Sequence, residues 1–103
     1  MSNILEEIIQ LDKIIHEPAR IAILTLLSVV DKADFLFLKY NTGLTQGNLS
    51  SHLAKLENAG YVDIEKTFKG KRPLTRIQLS ETGKREFEKY LKTLKQFIKE
   101  SNI

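Results

Sequence analysis

Cysteine and tryptophan are absent from this chain of 103 residues, and histidine occurs only at His16 and His52. Without cysteine there are no disulfides and no thiolate metal sites, and two histidines alone do not complete a zinc site, so we predict neither a metal nor a cofactor. The strongest apolar run, residues 21–30, is well short of the roughly 18 to 20 residues that a membrane helix needs. Residues 1–10 carry acids rather than a basic leader, which indicates a cytoplasmic protein without a membrane partner.

Positive charge is scarce in the first part of the chain and concentrated in the second. Residues 1–59 carry five Lys/Arg against seven Asp/Glu, and residues 60–103 carry eleven against six, so the net charge of +3 divides into −2 and +5. The excess lies in a run without acidic residues, which contains Lys66, Lys69, Lys71, Arg72 and Arg76. We expect this segment to meet a polyanion.

The length suits one domain, residues 1–103, and the apolar spacing of the first part is helical. A first amphipathic helix is predicted over about 3–15, and a second, central helix begins at Glu17 and Pro18. A third begins after an Asp34 cap and ends at about Thr42, before Gly43. After a tight turn, a fourth helix covers about 45–59.

After Gly60 the apolar period changes from helical to alternating, which predicts two strands. Residues 61–68 form the first and residues 74–79 the second, joined by a loop over 69–73 in which Pro73 ends the ladder pairing. Ser80 then caps a last helix over about 80–100. The predicted fold class is mainly α with a β-hairpin wing (α+β), a winged helix-turn-helix in the order ααααββα.

Two short helices joined by a tight turn and followed by a basic hairpin are typical of proteins that place one helix in the major groove of DNA and a wing beside it. In the fourth helix Leu49, Leu53 and Leu56 face inward, which turns small, amide and basic residues outward. The candidate DNA contacts in this helix and in the wing over 66–76 are Thr45, Gln46, Gly47, Asn48, Ser50, Ser51, His52, Lys55, Lys69, Lys71, Arg72 and Arg76.

Two of these candidates have a structural alternative. His52 lies only about 60° from the leucine stripe, so it either contacts DNA or packs against the third helix. Gly47 either lets the backbone approach DNA closely or is a simple irregularity of the first turn.

The apolar stripes of the first and last helices are wider than one small domain needs, and a palindromic DNA site needs two readers. We therefore predict a homodimer formed by both terminal helices. For Tyr90 and Phe97, burial in the core of their own chain is the alternative. The predicted interface residues are Ile4, Ile8, Leu11, Tyr90, Leu94, Phe97 and Ile98.

Three segments in order resemble the ArsR/MarR-type winged-helix regulators. Residues 48–62 resemble their recognition helix and the strand that follows, residues 16–21 the start of their second helix, and residues 79–84 the junction between wing and final helix. The similarity covers about residues 14–94. It implies a dimeric transcription factor whose outer helices form the dimer. The cysteine and histidine sets of the metal-sensing members are missing, so metal control is not implied.

Two other classes of protein fit the residues less well. A winged helix used only as a protein–protein assembly module should have an acidic or apolar wing and reader face, which this chain lacks. An enzyme should show a cysteine nucleophile, a phosphate-binding glycine loop or a histidine near a plausible Ser or Asp partner in sequence, and we identify none of these. We therefore predict a regulator that binds double-stranded DNA and is not an enzyme; the residues identify no small-molecule effector.

Overall fold

The computed structural model describes residues 3–101, which form five helices and three strands. The helices are α1 (Ile4–Ile9), α2 (Pro18–Val29), α3 (Phe35–Thr42), α4 (Gln46–Asn58) and α5 (Glu81–Glu100). The strands are β1 (Ala33–Asp34), β2 (Val62–Lys69) and β3 (Arg72–Leu79), arranged in one antiparallel sheet in the order β1-β3-β2. The predicted winged helix fold is confirmed, and the two-residue strand β1 is an addition to it.

Side-chain caps set the helix boundaries that position the reader helix. Asp34, Thr45 and Ser80 begin α3, α4 and α5, and in each the side-chain oxygen accepts a hydrogen bond from the amide three residues later, at 2.7, 3.1 and 2.9 Å. Gly43, with a φ of 71°, ends α3 in the left-handed conformation that glycine adopts without strain. The predicted caps and the short turn between α3 and α4 are thus confirmed.

The first helix is shorter than predicted. It ends at Ile9 rather than at about residue 15, and Asp12 forms a turn in which its Oδ1 accepts hydrogen bonds from the amides of Ile14 at 2.8 Å and Ile15 at 3.2 Å. This turn directs Ile15 into the core, where it is fully buried, instead of leaving it on the stripe of α1.

The hairpin is tighter than predicted, because Lys69 already pairs with Arg72 and leaves a loop of only two residues. Pro73 therefore lies within β3, in register with Phe68, and the expectation that it ends the pairing is wrong. The proline is tolerated because β1 reaches only Arg76 and its neighbour, so this edge of β3 has no other strand to pair with at Pro73.

One apolar core lies between the helices and the sheet, with α1 packed on α5 at one end. Tyr90 belongs to this core: it is 3% exposed, and its hydroxyl lies 2.7 Å from Nδ1 of His16. Its prediction as a dimer contact is therefore wrong, because its own chain covers the ring. Among residues 3–101, none of the helices combines the length and hydropathy of a membrane span. The buried apolar residues are Ile15, Ile23, Leu24, Leu27, Ala33, Leu38, Leu49, Leu53, Leu56, Val62, Ile77, Leu79, Phe87 and Tyr90.

Candidate nucleic-acid interface

Helix α4 presents a polar surface on the side away from the core. Its three leucines, Leu49, Leu53 and Leu56, are buried, so the predicted inward face is confirmed. The exposed residues of the helix include one carboxylate, Glu57, toward the C-terminal end. The side chains that remain for a partner are small, amide or basic, which is the chemistry that reaches base edges and phosphates. Those exposed candidates are Gln46, Gly47, Asn48, Ser50, Ser51 and Lys55.

The N-terminus of α4 is held by Thr45, whose exposed side chain caps the amide of Asn48. Gly47 follows in the first turn, and a Cβ built there meets no atom within 4 Å. The fold itself therefore does not require a glycine at this position. The positive end of the helix dipole adds to the attraction of this end for phosphate.

His52 faces the start of α2 rather than the third helix, and its side chain is 21% exposed. Its Nδ1 lies 3.0 Å from a guanidinium nitrogen of Arg20 and 3.6 Å from Oε2 of Glu17. Because arginine only donates, Nδ1 accepts the hydrogen bond, and the neutral ring carries its proton on Nε2. The contact ties the middle of the reader helix to α2.

Arg20 is a buried charged residue that the sequence pattern did not single out; it is 7% exposed. In its side chain, Nε donates to the carbonyl of Ile14 and a terminal guanidinium nitrogen contacts Nδ1 of His52. Burial acts to raise the pKa of Glu17, but hydrogen bonds from the amides of Arg20 and Ala19 and the electrostatic interactions with His52 and Arg20 lower it overall. Arg20 therefore connects the loop before α2 to the reader helix.

The tip of the hairpin carries the predicted wing cations. Lys69, Lys71 and Arg72 are all exposed, and Gly70 turns the chain with a φ of 64°. Lys69 and Arg72 are register partners, so their side chains lie on the same face of the hairpin. The exposed tip thus concentrates positive charge within four consecutive residues.

Lys66 was part of the predicted basic run but was not named as a contact, and the structure places it next to the reader helix. Lys66 and its register partner Thr75 line a cleft together with Gln46 and Ser50 of α4. The sequence does contain a signal for this placement: Lys66 lies two residues after the half-buried Ile64, and residues two apart in a strand share a face.

Arg76 lies away from this cleft, on the opposite face of the hairpin. Its register partners are Glu65 on β2 and Asp34 on β1, so an acidic residue flanks it on each neighbouring strand. Cross-strand pairs of opposite charge attract each other, so we expect Arg76 to attract DNA less strongly than the tip residues do.

The terminal helices show a different distribution of exposed apolar residues from the one predicted. Ile4, Ile8, Leu11, Leu94 and Phe97 are half-buried where α1 packs on α5, and Ile98 is 50% exposed. Two residues that were not among the predicted contacts are more open, since Leu5 is 58% and Ile9 is 75% exposed.

Comparison with known proteins agrees with this geometry. A family model described as a winged helix DNA-binding domain matches residues 19–98. An uncharacterised protein of Methanocaldococcus jannaschii is 36% identical over 87 residues, which cover 84% of this chain and 95% of that protein. The structure of a transcriptional regulator homologue from Pyrococcus horikoshii OT3 is 32% identical, with a TM-score of 0.89 over 97% of this chain and 98% of that one.

An ArsR family transcriptional regulator shares the fold alone, at 18% identity and a TM-score of 0.58 over 96% of this chain and 97% of that one. The chain therefore belongs to the winged helix DNA-binding domain family. Its family and fold are those of transcriptional regulators, not of enzymes.

Proposed function

We infer that this protein regulates transcription by binding specific sites on double-stranded DNA, with α4 in the major groove and the hairpin on the adjacent backbone or minor groove. The observation that carries the proposal is the juxtaposition of two surfaces. The outer face of α4 is polar and nearly free of acidic residues, and a hairpin with an exposed cationic tip lies beside it.

The two surfaces have different tasks in this proposal. The amide and hydroxyl side chains of α4 reach base edges and read sequence, whereas the cations of the wing neutralise phosphates and supply affinity. Lys66, in the cleft between the two, is suited to the phosphates between the grooves. We expect Arg76 to contribute less to DNA affinity, because Glu65 and Asp34 flank it.

We also propose that two copies act together, because a symmetric pair of readers doubles the contacts to a palindromic site. Leu5, Ile9 and Ile98 supply exposed apolar surface on the terminal helices, which pack on each other and also carry the half-buried residues Leu94 and Phe97. Tyr90 is not part of this proposed dimer contact, because it is buried in its own chain.

Titration of a random-sequence duplex at several salt concentrations tests the DNA contact. Affinity should fall steeply with salt, because each neutralised phosphate releases counterions. Replacing Lys69 and Lys71 with Ala should flatten the slope of log affinity against log salt by roughly one per lost contact. Lys95→Ala with Lys99→Ala on α5 makes the same change of charge away from the wing and is the matched control.

Two results would contradict the proposal. Undetectable binding at low salt would favour a protein–protein assembly module. Equal slopes for the wing double variant and the α5 control would show that charge in general, rather than the wing, drives binding.

A further inference from the structure

The tip of the wing exposes an aromatic ring that the fold does not use. Phe68 continues the apolar alternation of β2 in the sequence, which predicts a buried residue, but it is 69% exposed. The body of the protein ends before it, since Val62 is buried, Ile64 is half-buried and Lys66 is exposed along the same face of the strand. The phenyl ring therefore projects into solvent two residues from the turn.

The charges around Phe68 identify the partner that such a ring fits. Lys66 lies on the same face of β2, Lys71 lies in the turn, and Lys69 and Arg72 pair with each other on the opposite face of the hairpin. A protein partner or a membrane interior would have to accept an apolar ring at the end of a hairpin that also carries four cations, whereas the phosphates of duplex DNA match those cations and its stacked bases match the ring.

Phe68 also lies on the face of the hairpin that belongs to the proposed DNA surface. Its strand face is the one that borders the cleft shared with Gln46 and Ser50 of α4. Its register partner Pro73 has no backbone N–H and a fixed φ, which stiffens the strand opposite the ring. The ring is thus carried by a short, two-stranded support whose loop has only two residues.

We propose that Phe68 is an apolar wedge that enters a base step in the minor groove next to the reader helix and kinks the DNA there; this rests on the proposed function. Apolar side chains inserted between base steps unstack them and bend the duplex by roughly 20 to 90° toward the major groove. Pyrimidine–purine steps such as TA unstack most easily, so Phe68 also favours sites with such steps under the wing.

The test uses the full chain and a short AT-rich duplex that carries 2-aminopurine at its TA steps and a dye pair on its ends. The wild type should raise 2-aminopurine fluorescence and shorten the distance between the ends. Phe68→Thr replaces one residue that favours strands with another but removes the wedge, so it should bind with the salt slope of the wild type and show neither signal. Phe68→Leu should keep both signals in large part, because leucine also serves as a wedge.

Val29→Thr is the control, since Val29 is an apolar residue of similar exposure, 77%, at the end of α2, and this variant should match the wild type. Circular dichroism confirms that each variant is folded. If the wild type binds the duplex without bending it or unstacking its bases, the proposed role of Phe68 is wrong, whereas the proposed DNA binding still holds. Equal signals from Phe68→Thr and the wild type, or loss of both signals in folded Phe68→Leu, overturn the proposed role of Phe68 as well. Failure of the wild type to bind any duplex rejects the proposed function itself.

Discussion

Tyr61 joins the start of the hairpin to the loop before α2. Its hydroxyl donates to Oδ2 of Asp12, and burial, this hydrogen bond and the charges of Asp12 and Glu86 raise the pKa of Tyr61 to about 12. In the unfolded chain the ordinary pKa is about 10, so the folded protein holds this proton more tightly. The stabilisation is complete below pH 10 and is lost as the pH rises toward 12.

Tyr61→Phe should therefore be less stable than the wild type by about 1 kcal/mol at pH 9, where the hydrogen bond is intact. The difference should shrink as the pH approaches 12. Urea unfolding of both proteins across this range measures the difference in stability. Groups present in both proteins cancel in that difference, including Tyr90, because burial raises the pKa of Tyr90 in the wild type and the variant alike. A constant difference across the range would mean that Asp12 does not control the ionisation of Tyr61.

Two glycines in helices differ in what surrounds them, and this predicts opposite effects of alanine. At Gly83 in α5 an added Cβ would lie 1.9 Å from the backbone carbonyl oxygen of Tyr61, so Gly83→Ala should cost about 3 kcal/mol or more. At Gly47 in α4 nothing lies within 4 Å, so Gly47→Ala should stabilise the fold by roughly 0.5 kcal/mol.

DNA affinity of the same Gly47→Ala variant tests why a glycine is present. If the backbone approaches DNA closely, the variant should melt at a higher temperature and yet bind more weakly. Unchanged affinity would identify Gly47 as an irregularity without a role in binding. A less stable Gly47→Ala would contradict the geometry of the first turn.

At the scale of elements, the sequence predicted what depends on local chemistry. Asp34, Thr45 and Ser80 begin their helices because their side chains cap the amides that follow, and such caps can be read from short motifs. The leucine stripe of α4 likewise defines its inner face, and with it the outward candidates. Because apolar periodicity shows which side of a helix is buried, the outward face of α4 could be predicted from the sequence.

What depends on distant contacts was not predicted. The pattern of α5 does not reveal that His16 and Phe87 cover Tyr90, because apolar spacing gives a face but not its partner. The alternation of β2 continues to Phe68 although the body of the protein has ended, and β1 is too short to leave a pattern. Arg20 and His52 meet across 32 positions of sequence, a distance over which no local motif extends.

The reader helix and the wing should respond differently to substitution, because base contacts carry sequence information and phosphate contacts mainly carry affinity. Asn48→Ala or Ser51→Ala should cost about 1 to 3 kcal/mol on the specific site where the side chain meets a base, and much less on random duplex. Competition titrations of both duplexes measure the ratio. Equal losses on both would assign the residue to phosphate.

Arg72 is the wing cation that can also enter a narrow minor groove. Arg72→Ala should then lose more affinity on sites with AT-rich flanks than on sites with GC-rich flanks, because A-tracts narrow the minor groove and strengthen its negative potential. Titration of two duplexes that differ only in their flanks measures the effect. Equal losses would make Arg72 a phosphate contact, and no loss on either would remove the wing tip from the interface.

At the scale of the whole molecule, the terminal helices predict association. Ile9→Glu together with Ile98→Glu should give a folded monomer by light scattering. Both isoleucines are at least half exposed, so the fold should tolerate the change, and the glutamates place charge in the proposed contact. Val29→Glu, at an apolar position on α2 that is at least as exposed as Ile9 and Ile98, should remain a dimer. A monomeric wild type, or a dimeric double variant, would contradict the interface.

The most direct test of site-specific DNA binding is the selection of bound fragments from the source genome, followed by titration of the best fragment against a shuffled duplex of the same composition. The proposed dimer predicts a palindromic site whose half-sites are about 10 to 10.5 base pairs apart, or a multiple of that distance, and an affinity at least about 1000-fold above that of the shuffled duplex at physiological salt. Fragments without a shared sequence, bound as tightly as the shuffled duplex, would contradict sequence-specific reading by α4.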